Sequence, residues 1–238
     1  MGKYRFKRVL VKLSGEALAG QHDILDYEKI SEVANVLATL HRGGLQMGIV
    51  VGGGNIYRGR NQKQGNRTDA DHMGMLATTI NALALKDAII QAGASASVMS
   101  AIEMEQICDF YTQRDALLRL NRGEIVIFAG GIGRPYFSTD TASAMRALEI
   151  NADVLLCGKN VDGVYDDDPK LETNAKRFDW ISYDEFLQRD LTALDQTAII
   201  LCKNNNLKIF VFELKEPQNL EKAVSGELLG SIISKTRE

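Results

Sequence analysis

The chain has 238 residues, of which 45% are hydrophobic and 25% are charged, a composition typical of a globular protein with a substantial core. Its formal net charge is −3, with Lys and Arg scattered along the sequence, which argues against a nucleic-acid partner. Three separated cysteines and an N-terminus without an apolar segment argue against a disulfide framework and a secretion signal, and no uninterrupted apolar run approaches the roughly 20 residues that cross a bilayer. We therefore expect a cytoplasmic protein with no membrane partner.

Short apolar runs alternate with amphipathic stretches along the chain. The apolar runs predict strands at about 9–13, 47–51, 97–100, 124–129, 154–156 and 208–212. Helical spacing predicts helices at about 27–40, 71–91, 114–120 and 141–150, the first behind an Asp26 N-cap, and a capping box at 182–185 starts another. This alternation predicts a mainly parallel sheet with helices on both faces, in one domain with lobes of about 1–150 and 151–238.

Three of the predicted strands run directly into glycine-bearing loops, at 12–15, 52–55 and 130–133. Ligands of open parallel sheets bind at the carboxyl ends of strands, and glycine lets backbone N–H groups approach phosphate closely. A single glycine at such a turn usually serves only the turn, but three together favour a shared anion site. The familiar phosphate-binding fingerprints are absent, because Gln21 and His22 stand where a P-loop requires Lys and Ser or Thr.

Two cations accompany these loops. Lys12 ends a buried strand, where a lysine is costly unless it meets an anion or reaches solvent. Arg58 follows the second glycine loop and could bind phosphate oxygens, although a lone loop arginine is usually only solvated. Aspartates near the loops are candidates for contacts with ribose, metal or lysine, but most aspartates are turn formers or caps, and N-capping is the simpler role for Asp140.

The sequence resembles bacterial uridylate kinases, a family within the amino acid kinase superfamily. The resemblance rests on KLSGEAL at 12–18, GGGNIYRG at 52–59, DHMGML at 71–76, GIGRPYFSTD at 131–140, VDGVY at 161–165 and Asp168-Pro169. It implies an α/β fold, a three-layer αβα sandwich with a mainly parallel central sheet. It also implies a cytoplasmic enzyme of pyrimidine nucleotide biosynthesis that converts UMP and ATP to UDP and ADP by direct in-line transfer.

The resemblance assigns roles residue by residue. It implies catalytic roles for Lys12, Arg58, Asp140 and Asp195, with Asp153 also orienting lysine and magnesium. The residues implied to bind ATP are Lys12, Leu13, Ser14, Gly15, Gly54, Arg58, Lys159, Asn160, Tyr165 and Asp168. The residues implied to bind UMP are Gly53, Asp71, Ile132, Gly133, Arg134, Pro135, Tyr136, Phe137, Ser138 and Thr139. Mg²⁺ is expected to arrive with ATP rather than at a dedicated protein site.

The resemblance further implies a homohexamer that GTP regulates and UTP inhibits. The loop at 20–23 lacks the glycine-rich segment often found in relatives, so regulation by GTP does not follow from the sequence. Two other functions remain open on the residues alone. One is a kinase of the same fold that acts on a carboxylate or carbamate, and the other is a nucleotide-binding protein without catalysis.

Overall fold

The structure is a computed structural model that describes residues 3–57, 65–169 and 171–237. Its strands are β1 (Arg8–Leu13), β2 (Gln46–Val51), β3 (Ala96–Ser100), β4 (Asp109–Phe110), β5 (Ile125–Ala129), β6 (Val154–Lys159), β7 (Val164–Tyr165), β8 (Arg177–Phe178), β9 (Trp180–Ile181), β10 (Ile209–Glu213) and β11 (Gly230–Ile233). Its α-helices are α1 (Tyr27–Arg42), α2 (Arg67–Gln91), α3 (Gln113–Asn121), α4 (Thr139–Glu149), α5 (Tyr183–Gln188), α6 (Gln196–Asn204) and α7 (Asn219–Ser225). A short 3-10 helix, Gly15–Leu18, follows β1.

Within these ranges, nine strands form one sheet in the order β4-β3-β5-β2-β1-β6-β10-β11-β9. The pairings are parallel except that of β10 with β11, which confirms the predicted mainly parallel sheet. Strand β1 lies between β2 and β6, and Lys12 is in register with Val50 on one side and Cys157 on the other. The loops after β1 and β2 therefore emerge side by side at one edge of the sheet.

Helices cover both faces of the sheet. Along β1, Val9, Val11 and Leu13 join a core with α1, α2 and α7, whereas Leu10 joins a second core with α3, α4, α5 and α6. Successive strand residues point to opposite faces, so the Lys12 side chain lies on the same face as Leu10. The three-layer αβα sandwich is confirmed, and Lys12 lies under the layer that contains α4.

Local capping signals define several helix ends as predicted. The Asp26 side chain accepts hydrogen bonds from the N–H groups of Glu28 and Lys29, and Ser182 caps α5. Helix α2 differs, because it begins at Arg67 behind an Asn66 cap, one turn before the predicted start. Asp71 therefore lies in the second turn of α2 rather than at its positive end.

Helix α2 is long and apolar enough, by length and composition alone, to cross a membrane. It contains no long uninterrupted apolar run, because polar residues are spaced along it. Its buried side chains, among them Ala82, Leu85 and Ile89, belong to the core shared with α1 and the sheet. Helix α2 is therefore a core helix of the αβα sandwich.

Candidate active site

A cleft of about 290 Å³ opens at the carboxyl ends of β1, β2 and β5, against α2 and the start of α4. This is the edge at which parallel sheets bind ligands. The cleft brings together ten of the residues expected from the sequence to form a nucleotide site: Lys12, Gly53, Gly54, Asp71, Ile132, Arg134, Phe137, Ser138, Thr139 and Asp140. Gly133, Pro135 and Tyr136 lie in the same loop but do not line the cleft.

Two lysines flank one carboxylate at the floor of the cleft. Lys12 Nζ lies 3.1 Å from Asp140 Oδ1, and the two side chains are only 9% and 15% exposed. Lys159 Nζ lies 3.5 Å from Asp140 Oδ2 and also donates a hydrogen bond to the Ala193 carbonyl. The cluster therefore carries two positive charges and one negative charge in a largely dry environment.

The strand periodicity explains why Lys159 joins this cluster. Leu155, Cys157 and Lys159 alternate along β6 and share one face, and Cys157 is directly beside Lys12 in the adjacent strand. The same spacing in the sequence could have indicated that Lys159 meets Lys12. The resemblance implies that both Lys159 and Asn160 bind ATP; in the structure the Lys159 ammonium reaches the cluster, whereas Asn160 lines a separate hollow.

The charges of the cluster shift the pKa values of its members in different directions. Burial would lower the pKa of Lys12, but the Asp140 carboxylate outweighs it and the net shift is upward. Burial and then the charge of Lys12 lower the pKa of Lys159. Burial opposes ionisation of Asp140, but the two lysines hold its pKa below the usual value. The Cys157 thiol has its pKa raised to about 12, mainly by burial, and is uncharged at neutral pH.

Ser138, rather than Asp140, caps helix α4. The Ser138 hydroxyl accepts hydrogen bonds from the N–H groups of Asp140 and Thr141, which leaves the Asp140 carboxylate free to meet the lysines. The simpler expectation of an N-capping role for Asp140 is therefore wrong. Two capping residues stand close together here, and only tertiary contacts decide which of them caps the helix.

Asp195 lies beneath the cluster and contacts no lysine among the described residues. It caps α6 by accepting from Ala198 N, and it accepts hydrogen bonds from the hydroxyl of Ser138 and from the N–H and hydroxyl of Thr141. Asp195 therefore ties the start of α4 to the start of α6. Its geometry is that of a residue that holds Asp140 in place.

The glycine loops approach the cleft closely. A Cβ atom on Gly53 would lie 2.8 Å from both the Ala77 side chain and the Gly74 carbonyl, so only glycine fits against α2 at this point. The Gly130 N–H donates to the Thr78 hydroxyl at 2.8 Å, which fixes the loop after β5 to the same helix. Sequence reasoning missed Thr78, because a threonine within a helix carries no local signal of a tertiary contact.

Asp71 is held by two donors at the far wall of the cleft. Arg67 Nε donates to its carboxylate at 2.9 Å, and the Tyr136 N–H donates at 2.7 Å. Tyr136 has a φ of +72°, a left-handed conformation that is costly for a bulky residue, and its ring lies under the Arg67 guanidinium. Arg67 also lines the cleft and was missed because it precedes the segment that carries the resemblance.

The residues expected to bind ATP, the phosphoryl donor, do not all line one cavity. Tyr165 and Asp168 line a hollow of about 490 Å³, and the Tyr165 hydroxyl donates to Asp162 at 2.7 Å. Asn160 lines a different hollow of about 260 Å³. Leu13 is fully buried, so only its backbone can face a ligand, whereas the Ser14 hydroxyl is buried without a hydrogen-bond partner among the described residues.

Asp153 lies away from the cleft, at the other end of the strands. Asp153 accepts hydrogen bonds from the N–H groups of Lys7 and Arg8, at the amino end of β1 and hence at the opposite edge of the sheet from the cleft. The expectation that Asp153 orients lysine and magnesium is therefore wrong. Arg58 lies outside the described residues.

The arrangement suits a polyanion. Two ammonium groups lie beside the glycine loops, and the buried Ser14 hydroxyl after β1 has no hydrogen-bond partner among the described residues. Such a site can bind phosphate oxygens and stabilise negative charge that develops during transfer.

Comparison with known proteins places this geometry in a family. The model of the amino acid kinase family matches residues 7–213. The chain is 46% identical over 232 residues to a uridylate kinase of Bacteroides thetaiotaomicron, and the match covers 96% of this chain and 98% of that protein.

Two solved structures are also similar. The UMP kinase of Bacillus anthracis has a TM-score of 0.93 at 35% identity, covering 98% of this chain and 97% of that one. The UMP kinase of Ureaplasma parvum has a TM-score of 0.91 at 35% identity, covering 97% of this chain and 100% of that one. The chain therefore belongs to the amino acid kinase family and, within it, to the uridylate kinases.

Proposed function

We propose that this protein transfers the γ-phosphoryl group of ATP to UMP by direct in-line displacement, forming UDP and ADP. The observation that carries the proposal is the buried cluster of Lys12, Asp140 and Lys159 at the meeting point of the glycine loops. Kinship with uridylate kinases supports UMP as the acceptor and a nucleoside monophosphate kinase as the enzyme class. We further propose a place in pyrimidine nucleotide biosynthesis.

Lys12 and Lys159 would act as electrophiles. As the phosphoryl group passes from ATP to UMP, charge builds on its equatorial oxygens and on the leaving oxygen, and two fixed ammonium groups stabilise that charge. Asp140 keeps both lysines in place and keeps Lys12 charged. A phosphate oxygen of UMP is already nucleophilic at neutral pH, so the reaction requires no general base.

UMP would occupy the cleft between α2 and the loop after β5. Asp71 is the proposed contact for the ribose, Gly53 for the phosphate, and the segment from Ile132 to Thr139 for the uracil. The lining of one cleft by Gly53, Asp71, Arg134 and Phe137 supports this placement. The C-terminal lobe would then hold ATP.

ATP would lie with its phosphates along Ser14, Gly15 and Gly54 and its adenosine near Tyr165 and Asp168. The hollow of about 490 Å³ beside β7 supports a nucleoside there. Asn160 lies in a separate hollow, so we assign no adenine contact to it. Arg58 stays a proposed phosphate contact on the strength of the resemblance alone.

Mg²⁺ would enter with ATP. In the part of the chain that the structure describes, no three His, Cys, Asp or Glu side chains are grouped so as to hold a metal ion. Asp140 is already paired with two lysines, so these residues do not form a ligand set of their own. Mg²⁺ commonly keeps several waters and binds substrate phosphates, which fits a cation carried by the nucleotide.

We also propose a homo-oligomer, with a hexamer as the expected form, in the cytoplasm. The support is an apolar stripe on the outer face of α2, where Met73, Leu76 and Ile80 are 41%, 53% and 47% exposed. These residues recur at helical spacing and so share one face. An exposed apolar stripe on a core helix is typical of a surface that another protein covers.

A panel of acceptors tests the function. ADP release from ATP-Mg²⁺ is measured with UMP, CMP, dTMP, acetylglutamate and aspartate under the same conditions. The proposal predicts the highest kcat/KM with UMP and no turnover with the two carboxylates. Turnover of a carboxylate in preference to UMP would favour the amino-acid kinase alternative, and no turnover with any acceptor would favour nucleotide binding without catalysis.

A further inference from the structure

A pair of amide side chains ties helix α2 to the second glycine loop. Asn81 is completely buried on α2, and its Nδ2 donates to the Gly52 carbonyl at 2.7 Å and to Asn55 Oδ1 at 2.8 Å. Asn55 Nδ2 donates back to Asn81 Oδ1 at 3.1 Å and also to the Ile24 carbonyl at 2.6 Å. One buried side chain therefore holds both the beginning and the end of the segment 52–55.

The same amide pair sets the distance between two glycine loops. A Cβ atom on Gly15 would lie 2.2 Å from Asn55 Oδ1, 2.9 Å from the Gly52 carbonyl and 3.0 Å from the Gly54 nitrogen. The turn after β1 therefore packs directly on the atoms that Asn81 holds. A displacement of Asn55 would move the two loops relative to each other, and with them the backbone beside Lys12.

The chemistry of the position favours a role that packing alone does not explain. Leucine has the same number of side-chain heavy atoms, a higher helix propensity and no polar group to desolvate. It would leave the Gly52 carbonyl and the Asn55 side chain without their buried partner. The benefit of an asparagine here falls on the loop, not on the helix.

We propose that Asn81 is a positioning residue for phosphoryl transfer, which holds the backbone N–H groups of the segment 52–55 in register with Lys12. Asn81 itself contacts no nucleotide, and its effect passes through Asn55 and Gly52. This inference rests on the proposed function, because it assumes that the loop binds the phosphates that are transferred.

The test compares Asn81→Leu with Ile89→Val, a control that removes a methyl group from a fully buried residue on the same helix without touching the loop. For folded Asn81→Leu we expect kcat to fall about 10–100-fold, because small misplacements of reacting groups cost rate, while KM for either nucleotide changes less. Ile89→Val should keep kcat within about twofold of the wild type. A kcat of Asn81→Leu equal to that of the control would overturn the inference.

Hydrogen exchange gives a second readout that does not depend on activity. The N–H groups of Gly52, Ile56 and Tyr57 are hydrogen-bonded within or beside the loop, so their exchange reports on its order. Asn81→Leu should speed their exchange in the protein without nucleotides, and unchanged exchange would overturn the inference. If Asn81→Leu does not fold, Asn55→Ala removes the loop side of the pair, and the same two results are required of it.

The two measurements separate this inference from the proposed function. If the wild-type protein does not phosphorylate UMP, the proposed function fails and the assay of kcat has no meaning. The exchange experiment still shows whether Asn81 holds the loop. If the wild type is active and both readouts match the control, the inference alone fails.

Discussion

Lys12 and Asp140 form a buried ion pair in which the ammonium nitrogen lies 3.1 Å from the carboxylate. This ion pair shifts the two pKa values in opposite directions. Asp140 raises the pKa of Lys12 against the effect of burial, and Lys12 lowers the pKa of Asp140. The contribution of Asp140 to the free energy of unfolding is therefore complete above the usual aspartate pKa of about 3.9 and is lost as the pH falls toward the lowered value.

The pH dependence of activity follows from Lys159. Its pKa lies below the usual lysine value, so it is the first of the two lysines to lose its proton as the pH rises. Asp140→Asn removes the charge that raises both lysine pKa values, and kcat should therefore begin to fall at a lower pH than in the wild type. The measurement is kcat against pH at saturating nucleotides. If kcat begins to fall at the same pH in both proteins, the proposed effect of Asp140 on the lysine pKa values is contradicted.

Asp71→Asn should weaken UMP selectively. The Asp71 carboxylate accepts from two donors, Arg67 Nε and the Tyr136 N–H, and an asparagine would leave one neutral oxygen to serve both of them and the ribose. Loss of a charged acceptor costs about 1.5–3 kcal/mol, so KM for UMP should rise about 10–100-fold with KM for ATP nearly unchanged. Steady-state kinetics with each nucleotide varied in turn measure both constants. Equal losses for the two nucleotides would remove Asp71 from the acceptor site.

Asp195→Ala tests whether Asp195 acts by holding Asp140 in place rather than by contacting the reacting groups. It loses the cap of α6 and three contacts to the start of α4, so the free energy of unfolding should fall by about 1–2 kcal/mol and kcat should fall with it. Denaturant unfolding and steady-state kinetics are measured on the same preparation, with Asp195→Asn as the conservative variant. Unchanged stability with a kcat as low as that of a Lys12 variant would show that Asp195 contacts the reacting groups.

Ile80→Asp tests the apolar stripe on α2. A charge in the middle of a covered apolar surface should dissociate the oligomer, and sedimentation velocity should show smaller species than the wild type. Ile200→Asp, at a similarly exposed isoleucine on α6, is the matched control and should leave the oligomer intact. An unchanged sedimentation coefficient for Ile80→Asp would exclude this face as an interface.

The sequence predicted those features that local chemistry determines. The caps at Asp26 and Ser182 and the strands that lead into the glycine loops depend on a few neighbouring residues, and the structure confirms them. Helix α6 and strand β11 were not predicted from the sequence, because short segments with weak periodicity acquire their structure from packing on the sheet.

The site was harder to predict than the fold. Lys12 was found because a lysine in a buried strand is unusual, whereas the choice between Ser138 and Asp140 as the cap of α4 depends on contacts far away in the chain. Asp153 was misplaced although it directly precedes the predicted strand at 154–156, which puts it at the amino end of that strand and away from the glycine loops. Lys159 could have been recognised from its alternation with Leu155 and Cys157.

The central claim is that Lys12 stabilises the transferred phosphoryl group rather than the bound nucleotide. Lys12→Met keeps most of the side-chain volume and removes the charge, and UDP formation and UMP affinity are measured on it in parallel. We expect kcat to fall about 10²–10³-fold while the Kd for UMP stays within about threefold of the wild type. An unchanged kcat, or a loss confined to UMP affinity, would contradict the account.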